Sequence, residues 1–286
     1  MLAFELLLQG LVQGSIYALI AVGLTLVYGL LRILHVAHAG LFTLGGYIGV
    51  IVTNATGSLL LALLVAMPAM GLLGIGIYRT CYQPLLSRPP YVALIASIGL
   101  FIMMEELFRL IFGPYGLSFT APPLQDPVAV FGVNLKEAEL ATMIGALVLI
   151  GGLALLTLRT RIGTASRATV TDPKMAEAFG VNIGRIRDIN FFVGSALAAA
   201  AGVMVALLNN LVEPTMGSVP SYKALAIIVL GGLGDLRGTL IAALALGVIE
   251  AYGTIYLGNL LDRDAIAFAF LIAVLMLRPQ GLFGKG

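Results

Sequence analysis

Long apolar runs separated by short polar segments dominate this chain and decide what it can fold into. A helix needs about 20 mostly apolar residues to cross the hydrocarbon core of a bilayer. Only 10% of the 286 residues are charged and 60% are hydrophobic, whereas a soluble domain has about 25% charged residues. The sequence therefore predicts a single all-α domain over 1–286, a polytopic transmembrane bundle of about eight spans. The candidate runs are 6–31, 41–53, 59–78, 91–112, 140–158, 191–209, 222–232, 240–257 and 265–277.

Composition and missing motifs exclude several classes of protein. The single cysteine, Cys81, rules out an internal disulfide. No phosphate-binding G-x-x-x-x-G-K-[ST] loop, H-E-x-x-H metal motif or serine-nucleophile elbow occurs, so we expect no enzyme activity and no cofactor in this chain. The opening MLAFELLLQG lacks a basic n-region, so no cleaved signal peptide is expected. The net charge of +2 does not indicate a nucleic-acid partner, because the basic residues lie where they set membrane topology.

The distribution of charge predicts the topology. Loop 159–190 holds six basic and three acidic residues, which places it in the cytoplasm. Loop 79–88 and the C-terminus, with Arg278 and Lys285, are also basic and should lie inside. Loop 113–139 contains four prolines and only Lys136 as a base, so it should lie outside. Alternation of spans then predicts an extracytoplasmic N-terminus in a multi-pass protein of the cell (inner) membrane.

A short helix is predicted within loop 159–190. Asp172 suits the N-cap position, Pro173 suits N1, residues 174–179 can form about two turns, and Gly180 suits C′. A capped helix between membrane spans can dock another protein. It can equally be a solvated connector that follows the positive-inside rule.

Two apolar runs, 41–53 and 222–232, are too short to cross comfortably, and each adjoins glycine-rich irregular sequence. Short, glycine-interrupted segments in two related halves indicate discontinuous helices that line a substrate path. Two tilted spans with ordinary glycine turns are the alternative. On the first interpretation, 38–46 and 231–238 are non-helical or half-helical and approach a mostly apolar pathway. The candidate pathway residues here are His35, His38, Gly45, Gly46, Gly231, Gly232 and Gly234.

Polar residues also recur inside the first apolar run. Gln9, Gln13 and Tyr17 are four residues apart and share one helix face, and Gly10 and Gly14 form a GxxxG pair. This face either lines the pathway or holds helices together through amide bonds and close packing. Gln13 and Tyr17 are therefore candidate pathway residues.

Ionisable residues within spans are costly and call for partners. Glu105 and Arg109 are spaced to form an ion pair, whereas Glu106 points elsewhere. Glu250 has no local partner, so we expect a buried polar contact to Arg237 or to a neighbouring subunit, and we count it among the pathway residues. His35 and His38 share a face, but two histidines without a carboxylate do not predict a metal site.

Several stretches together resemble a known family, the LivH-type permease subunits of branched-chain (hydrophobic) amino acid ABC importers. The resemblance extends over essentially the whole chain, and these stretches carry it: GLVQGSIYALIAVGLTLVYGLLRI (10–33), LHVAHAGLFTLGGY (34–47), ATVTDPKMAEAFGVN (168–182), ALAIIVLGGLGDLRGTLIAALALGVIE (224–250) and RPQGLFG (278–284). Three positions depart from the family pattern. His35 replaces the usual Asn, Ala39-Gly40 replaces Gly plus a polar residue, and Gly46 replaces Ala. These departures leave the substrate open.

The resemblance implies a machine of five subunits. They are this permease, a sister permease in a heterodimer, two cytoplasmic ATPases that bind ATP and Mg, and an extracytoplasmic solute-binding protein. By the same resemblance, the helix in loop 159–190 sits in a groove on an ATPase. Asp172 and Pro173 fix its start, Gly180 ends it, and Met175, Ala176 and Phe179 form one docking face.

The cargo implied by the family is leucine, isoleucine or valine, or a small solute such as urea, a short amide or a small aromatic acid. Two other interpretations stay open from the sequence. One is an autonomous secondary transporter or channel, which ion-driven flux without ATPases would favour. The other is a membrane scaffold, which would leave the interrupted segments unexplained.

Overall fold

The computed structural model describes residues 2–130, 132–258, 260–278 and 280–282. Over these residues the chain is almost entirely helical, as predicted, and two small antiparallel β-ribbons complete it. The helices are α1 (Leu2–Leu31), α2 (His38–Thr56), α3 (Leu59–Ile77), α4 (Pro90–Phe112), α5 (Glu137–Arg159), α6 (Arg161–Thr171), α7 (Pro173–Ala178), α8 (Ile183–Asn209), α9 (Ser218–Gly231), α10 (Leu236–Leu257) and α11 (Arg263–Leu277). The strands are β1 (Leu117–Ser118), β2 (Pro127–Val130), β3 (Val133–Lys136) and β4 (Leu211–Val212).

In the part of the chain that the structure describes, seven helices are long and apolar enough to cross a membrane. They are α1, α2, α3 with its extension to Leu85, α4, α5, α8 and α10. Helices α9 and α11 are shorter, at 14 and 15 residues. The polytopic helical class is therefore confirmed.

Helices α1 and α8 form the buried centre of the bundle. Both are mostly buried, and Ala198, Ala199, Ala200 and Ala201 of α8 are fully inaccessible. Helix α8 packs against α2 and α3, while α1 packs against α8 and α10. Small residues allow the helix backbones to approach closely. Close packing matters here because lipid tails are as apolar as the helices, so van der Waals contact rather than the hydrophobic effect stabilises helix association.

Glycines form the seam between α1 and α10. A Cβ added at Gly10 would lie 2.6 Å from Val248 Cα, and one at Gly14 would lie 2.9 Å from Leu244 Cα. Gly247 of α10 contacts the same two glycines from the other side. The GxxxG pair therefore holds two helices together, as one of the two interpretations of the sequence proposed.

The bundle has two distinct ends. The loop end carries α6, α7 and the turn at 32–37, and there the exposed ion pair Arg79–Asp188 (2.6 Å) links the end of α3 to the start of α8. The hairpin end carries the β2–β3 hairpin and the β1–β4 ribbon. Loop 113–139 and loop 159–190 thus lie at opposite ends, because α5 runs from one end to the other. Neither the hairpin nor the ribbon was predicted from the sequence.

The predicted interruption at 38–46 is wrong. Helix α2 runs without a break from His38 to Thr56, which makes it 19 residues long, and the irregular backbone precedes it at 32–37. The apolar run 41–53 seemed too short because it left out His38, Ala39 and Gly40, which are helical and buried in the bundle. Interior glycines are tolerated because α8 packs against them.

The second predicted interruption is present at 232–235. Helix α9 ends at Gly231, and Gly232 and Gly234 adopt positive φ angles of 104° and 90°, which side chains with a Cβ rarely adopt. Asp235 then starts α10 by accepting hydrogen bonds from the backbone N–H groups of Arg237 and Gly238. Residues 236–238 are helical, so the interruption is shorter than predicted.

The C-terminal segment covers this interruption at the loop end. The Leu282 N–H donates to the Leu230 carbonyl at 2.7 Å, and Gly281 adjoins the backbone of 229–232. Pro279, Phe283 and Gly284 of the family-like tail, and the topology residue Lys285, lie outside the described residues.

The glycine seam generates a stability prediction. Gly10→Ala should lower the thermal unfolding midpoint in detergent, because its Cβ meets backbone that cannot move aside, and overpacking costs about 1–3 kcal/mol. Gly152→Ala is the matched control, since nothing lies within 4 Å of a Cβ at that position. Both changes improve helix propensity equally. A Gly10→Ala protein as stable as the Gly152→Ala protein would contradict the seam.

Candidate functional site

A half-open cavity of about 920 Å³ lies at the hairpin end, bounded chiefly by α1, α8, α9, α10 and α11. Its polar wall consists of Gln9, Gln13, Tyr17, Lys136, Glu139, Asn209, Glu213, Thr215, Lys223, Thr254, Arg263 and Asp264. Its apolar wall consists of Leu6, Val12, Ile16, Val205, Leu208, Leu211, Met216, Val219, Pro220, Ala251 and Ile255. The sequence predicted a mostly apolar pathway, whereas the wall of this cavity contains both charged and aliphatic side chains.

Glu250 is fully buried directly behind the polar wall. Its Oε2 accepts hydrogen bonds from the Tyr17 hydroxyl at 2.7 Å and from Arg263 Nε at 2.9 Å. Its Oε1 lies 2.9 Å from Lys223 Nζ, a contact with the geometry of an ion pair rather than of an aligned hydrogen bond. One carboxylate of α10 therefore joins α1, α9 and α11.

Lys223 connects this carboxylate to a second one. Its ammonium group lies 2.8 Å from Asp264 Oδ1 and donates to the Tyr17 hydroxyl at 3.0 Å, and only 4% of its side chain is exposed. We call Tyr17, Lys223, Glu250, Arg263 and Asp264 the charge cluster. It contains two cations and two carboxylates, so its formal charge is zero. Such mutual compensation is what makes buried charges tolerable.

The expected partners of Glu250 were wrong. Neither Arg237 nor a neighbouring subunit is needed, because Lys223 and Arg263 of the same chain supply the positive charges. The sequence contained a usable signal: Lys223 is a lone cation inside the apolar run 222–232, and an intramembrane cation implies an intramembrane anion. Arg263 and Asp264 border the last run and gave no such signal.

The predicted pathway residues fall into two groups. Gln13 and Tyr17 line the cavity, and Glu250 holds its wall in place. Gly231, Gly232 and Gly234 lie at the opposite, loop end. Gly45 packs against Ala199, and Gly46 packs against Gly202 and Met216. The structure thus brings three of the predicted residues to one site.

His35 and His38 are buried in helix packing and do not line the cavity. His35 Nδ1 lies 2.6 Å from the Tyr82 hydroxyl, which donates to Ser97 Oγ at 2.8 Å. The ring of His38 fills the space over Gly23. Among the residues that the structure describes, no group of three or more His, Cys, Asp or Glu side chains is placed to hold a metal ion.

The ion pairs of α4 differ in part from expectation. Arg109 contacts Glu105 at 3.5 Å, as predicted, but it lies closer to Glu106, at 2.7 Å. Glu106 was expected to point elsewhere. The pairing follows from the i, i+3 spacing, which places both residues on one side of the helix. All three side chains lie outside the cavity, so they do not belong to the candidate site.

At the loop end, α7 has the caps that the sequence predicted. Asp172 Oδ1 accepts the Met175 N–H at 3.0 Å, and Pro173 is the first helical residue. Gly180 has φ 84° and donates to the Glu177 carbonyl, while the Val181 N–H donates to the Ala176 carbonyl. This pair of bonds is a Schellman motif, which requires a left-handed residue at C′.

The predicted docking face of α7 needs one correction. Phe179 and Met175 are 82% and 56% exposed, whereas Ala176 is 4% exposed. Ala176 therefore faces the rest of the chain, because one turn of α7 rests on α6 and α8. The large exposed apolar side chains of α7 and its C-cap are Met175 and Phe179.

Helix α6 was not predicted, and it determines where α7 sits. Thr160 caps α6 by accepting the Gly163 N–H at 3.1 Å, and the Arg167 guanidinium donates to the Thr157 carbonyl of α5. Asp172 ends α6 through its own N–H and starts α7 through its side chain. The two short helices are thus joined at one residue without a flexible linker.

The charge cluster predicts that removing the charge of Glu250 lowers the stability of the protein more than removing the charge of an exposed carboxylate. Glu250→Gln should destabilise the protein by about 3–5 kcal/mol, because Lys223 and Arg263 lose their shared carboxylate while remaining near the membrane interior. Glu106→Gln, which removes an exposed carboxylate, should cost at most about 1 kcal/mol. Thermal unfolding midpoints in detergent measure the difference. Equal midpoints for the two variants would contradict the structural role of Glu250.

Comparison with known proteins identifies the relatives of the chain. The family model described as "Branched-chain amino acid transport system / permease component" matches residues 6–277. The high-affinity branched-chain amino acid transport system permease protein LivH of Escherichia coli K12 is 33% identical over 97% of this chain and 94% of its own length. BraD of Pseudomonas aeruginosa, which carries the same description, is 33% identical over 98% of this chain and 95% of its own length.

A more distant relative has a different permease name. LivM of Escherichia coli K12 is 24% identical over 93% of this chain and 67% of its own length. No solved structure is significantly similar to the chain. The matched family model covers almost all of the described helices, including the cavity and the loop-end helices. The chain therefore belongs to the family of permease components of branched-chain amino acid transport systems, and it is a multi-pass membrane transport protein.

Proposed function

We propose that this chain is a permease subunit of an ATP-driven importer of branched-chain amino acids. The observation that carries the proposal is the placement of two features at opposite ends of one bundle. A cavity with charged and aliphatic walls lies at the hairpin end, and a rigid helix with exposed apolar side chains lies at the loop end. Relatives named as high-affinity branched-chain amino acid permeases support the choice of cargo.

The orientation follows from the charges. The excess of basic residues in loop 159–190 supports a cytoplasmic loop end, and in this proposal the cavity opens to the extracytoplasmic side, where a solute-binding protein delivers cargo. On this basis the N-terminus is extracytoplasmic and the C-terminal segment is cytoplasmic. The protein resides in the inner membrane, and it pairs with a sister permease. The similarity to both LivH and LivM supports a heterodimer.

Two cytoplasmic ATPases bind ATP and Mg in this proposal, and α7 transmits their movement. Phe179 and Met175 would enter a groove on an ATPase, as an amphipathic helix does in helix-in-groove recognition. The caps at Asp172 and Gly180 keep α7 helical without a partner. Arg167 fastens α6 to α5, and Ser166 Oγ lies 3.2 Å from Asn190 Oδ1 of α8, so a push on α7 reaches two membrane helices.

Uptake by the reconstituted complex tests the proposed function. Proteoliposomes that contain both permeases and both ATPases should accumulate leucine only when ATP, Mg and the binding protein are all present. Urea, short amides and aromatic acids serve as competing cargoes. Uptake that continues without ATPases and follows an ion gradient would contradict the proposal and would establish a secondary transporter instead.

The docking surface on α7 generates a separate prediction. Phe179→Ala and Met175→Ala should each weaken co-purification of the ATPases and lower leucine uptake, because burying a large apolar side chain is worth about 1.5–3 kcal/mol. Glu177→Ala is the matched control, since it changes an exposed side chain of the same helix without removing apolar surface. ATPases that remain fully bound and coupled in the Phe179→Ala complex would show that the docking surface lies elsewhere.

A further inference from the structure

We propose that the cavity is a binding site for a zwitterionic amino acid, in which Arg263 binds the carboxylate and Asp264 binds the ammonium group. This inference rests on the proposed function and specifies the chemistry of its cargo site. It starts from the two members of the charge cluster that are about half exposed, while Lys223 and Glu250 behind them are buried.

Arg263 has hydrogen-bond donors that have no partner among the described residues. Its Nε contacts Glu250, and its two Nη groups have no hydrogen-bond or ion-pair partner among the residues that the structure describes. The side chain lines the cavity and is 45% exposed. A guanidinium group held at Nε keeps a planar pair of N–H donors that matches the two oxygens of a carboxylate. Glu250 thus fixes the orientation of the group and leaves its binding edge available.

Asp264 offers the complementary charge beside it. Its Oδ1 contacts Lys223, and its other oxygen has no partner among the described residues. Lys223 and Arg263 both contact Glu250, so Asp264 and Arg263 are held in one network. An α-amino acid carries its carboxylate and ammonium group on the same carbon and can contact both side chains at once.

Charge balance favours a zwitterion over a simple ion. The charge cluster is formally neutral, so a neutral ligand adds no net charge to a partly desolvated site, whereas a cation or an anion would. Lys136, Glu139 and Glu213 are the other charged residues of the cavity wall.

The remaining wall suits an aliphatic side chain. Val12, Ile16, Val205, Leu208 and Val219 supply branched apolar surface, and about 920 Å³ lies within the range of known ligand sites. Hydrophobic contact there can accept leucine, isoleucine and valine, because the loss of one methylene changes the binding free energy by only about 1–3 kcal/mol. The charge cluster therefore selects an amino acid, and the aliphatic wall accepts its side chain.

Ligand protection of an engineered thiol tests the site without requiring transport. Val219→Cys is placed in the cavity wall of a Cys81→Ala chain, within the full complex in nanodiscs and without binding protein. A water-soluble maleimide labels the thiol. Millimolar leucine should slow the labelling, whereas leucinamide, which lacks the carboxylate, should not. Arg263→Lys and Arg263→Gln should raise the leucine concentration needed for protection at least about tenfold, because a bidentate charged contact is lost.

Arg109→Gln is the matched control, because Arg109 lies at the same end of the bundle but outside the cavity. It should leave leucine protection unchanged. Arg263→Lys keeps a cation for Glu250, so its effect separates ligand binding from a folding defect. Equal protection by leucine and leucinamide, no protection by leucine, or full protection in the Arg263→Lys complex would overturn the inference. Loss of ATP-driven uptake with intact protection would count against the proposed function alone.

Discussion

A carboxylate removed from water must be surrounded by positive charge, and at Glu250 this requirement draws four helices together. Tyr17 of α1, Lys223 of α9 and Arg263 of α11 converge on one side chain of α10. Helices α9, α10 and α11 are thereby joined to the central helix α1. Tyr17, Lys223, Arg263 and Asp264 also line the cavity, so the contacts that join these helices form part of its wall.

Small residues provide the second constraint. Polar clusters can set which helices meet, but close contact requires that backbones approach without side chains between them. Gly10, Gly14 and Gly247 allow this for α1 and α10, and the alanines of α8 allow it for α2 and α3. The rigid seam between α1 and α10 holds Tyr17 and Glu250 within 2.7 Å of each other. Packing and electrostatics therefore act on the same pair of helices.

Much of this arrangement was predictable from the sequence where the signal is local. The caps of α7 at Asp172 and Gly180 follow from residue types at fixed spacing, and the glycine turn at 232–235 follows from backbone freedom. Helix α2 was misjudged because the length of an apolar run does not measure burial by neighbouring helices, which encloses His38, Ala39 and Gly40 within the helix. The two cationic partners of Glu250 lie 27 residues before it and 13 after it, on other helices, and hydropathy does not encode such pairings. The face of α7 that contacts α6 was also hidden, because α6 itself was not recognised.

On the proposed function, one bundle connects the cavity to α7, the helix that the ATPases would move at the other end. The accessibility of the cavity should therefore depend on the nucleotide state of the assembled complex. Thr254→Cys in the cavity wall, labelled from outside by an impermeant maleimide, provides a direct measurement. The labelling rate should differ between the nucleotide-free complex and the complex trapped with ATP, and this difference should disappear in the Phe179→Ala complex. A labelling rate that is the same in both nucleotide states would contradict the account.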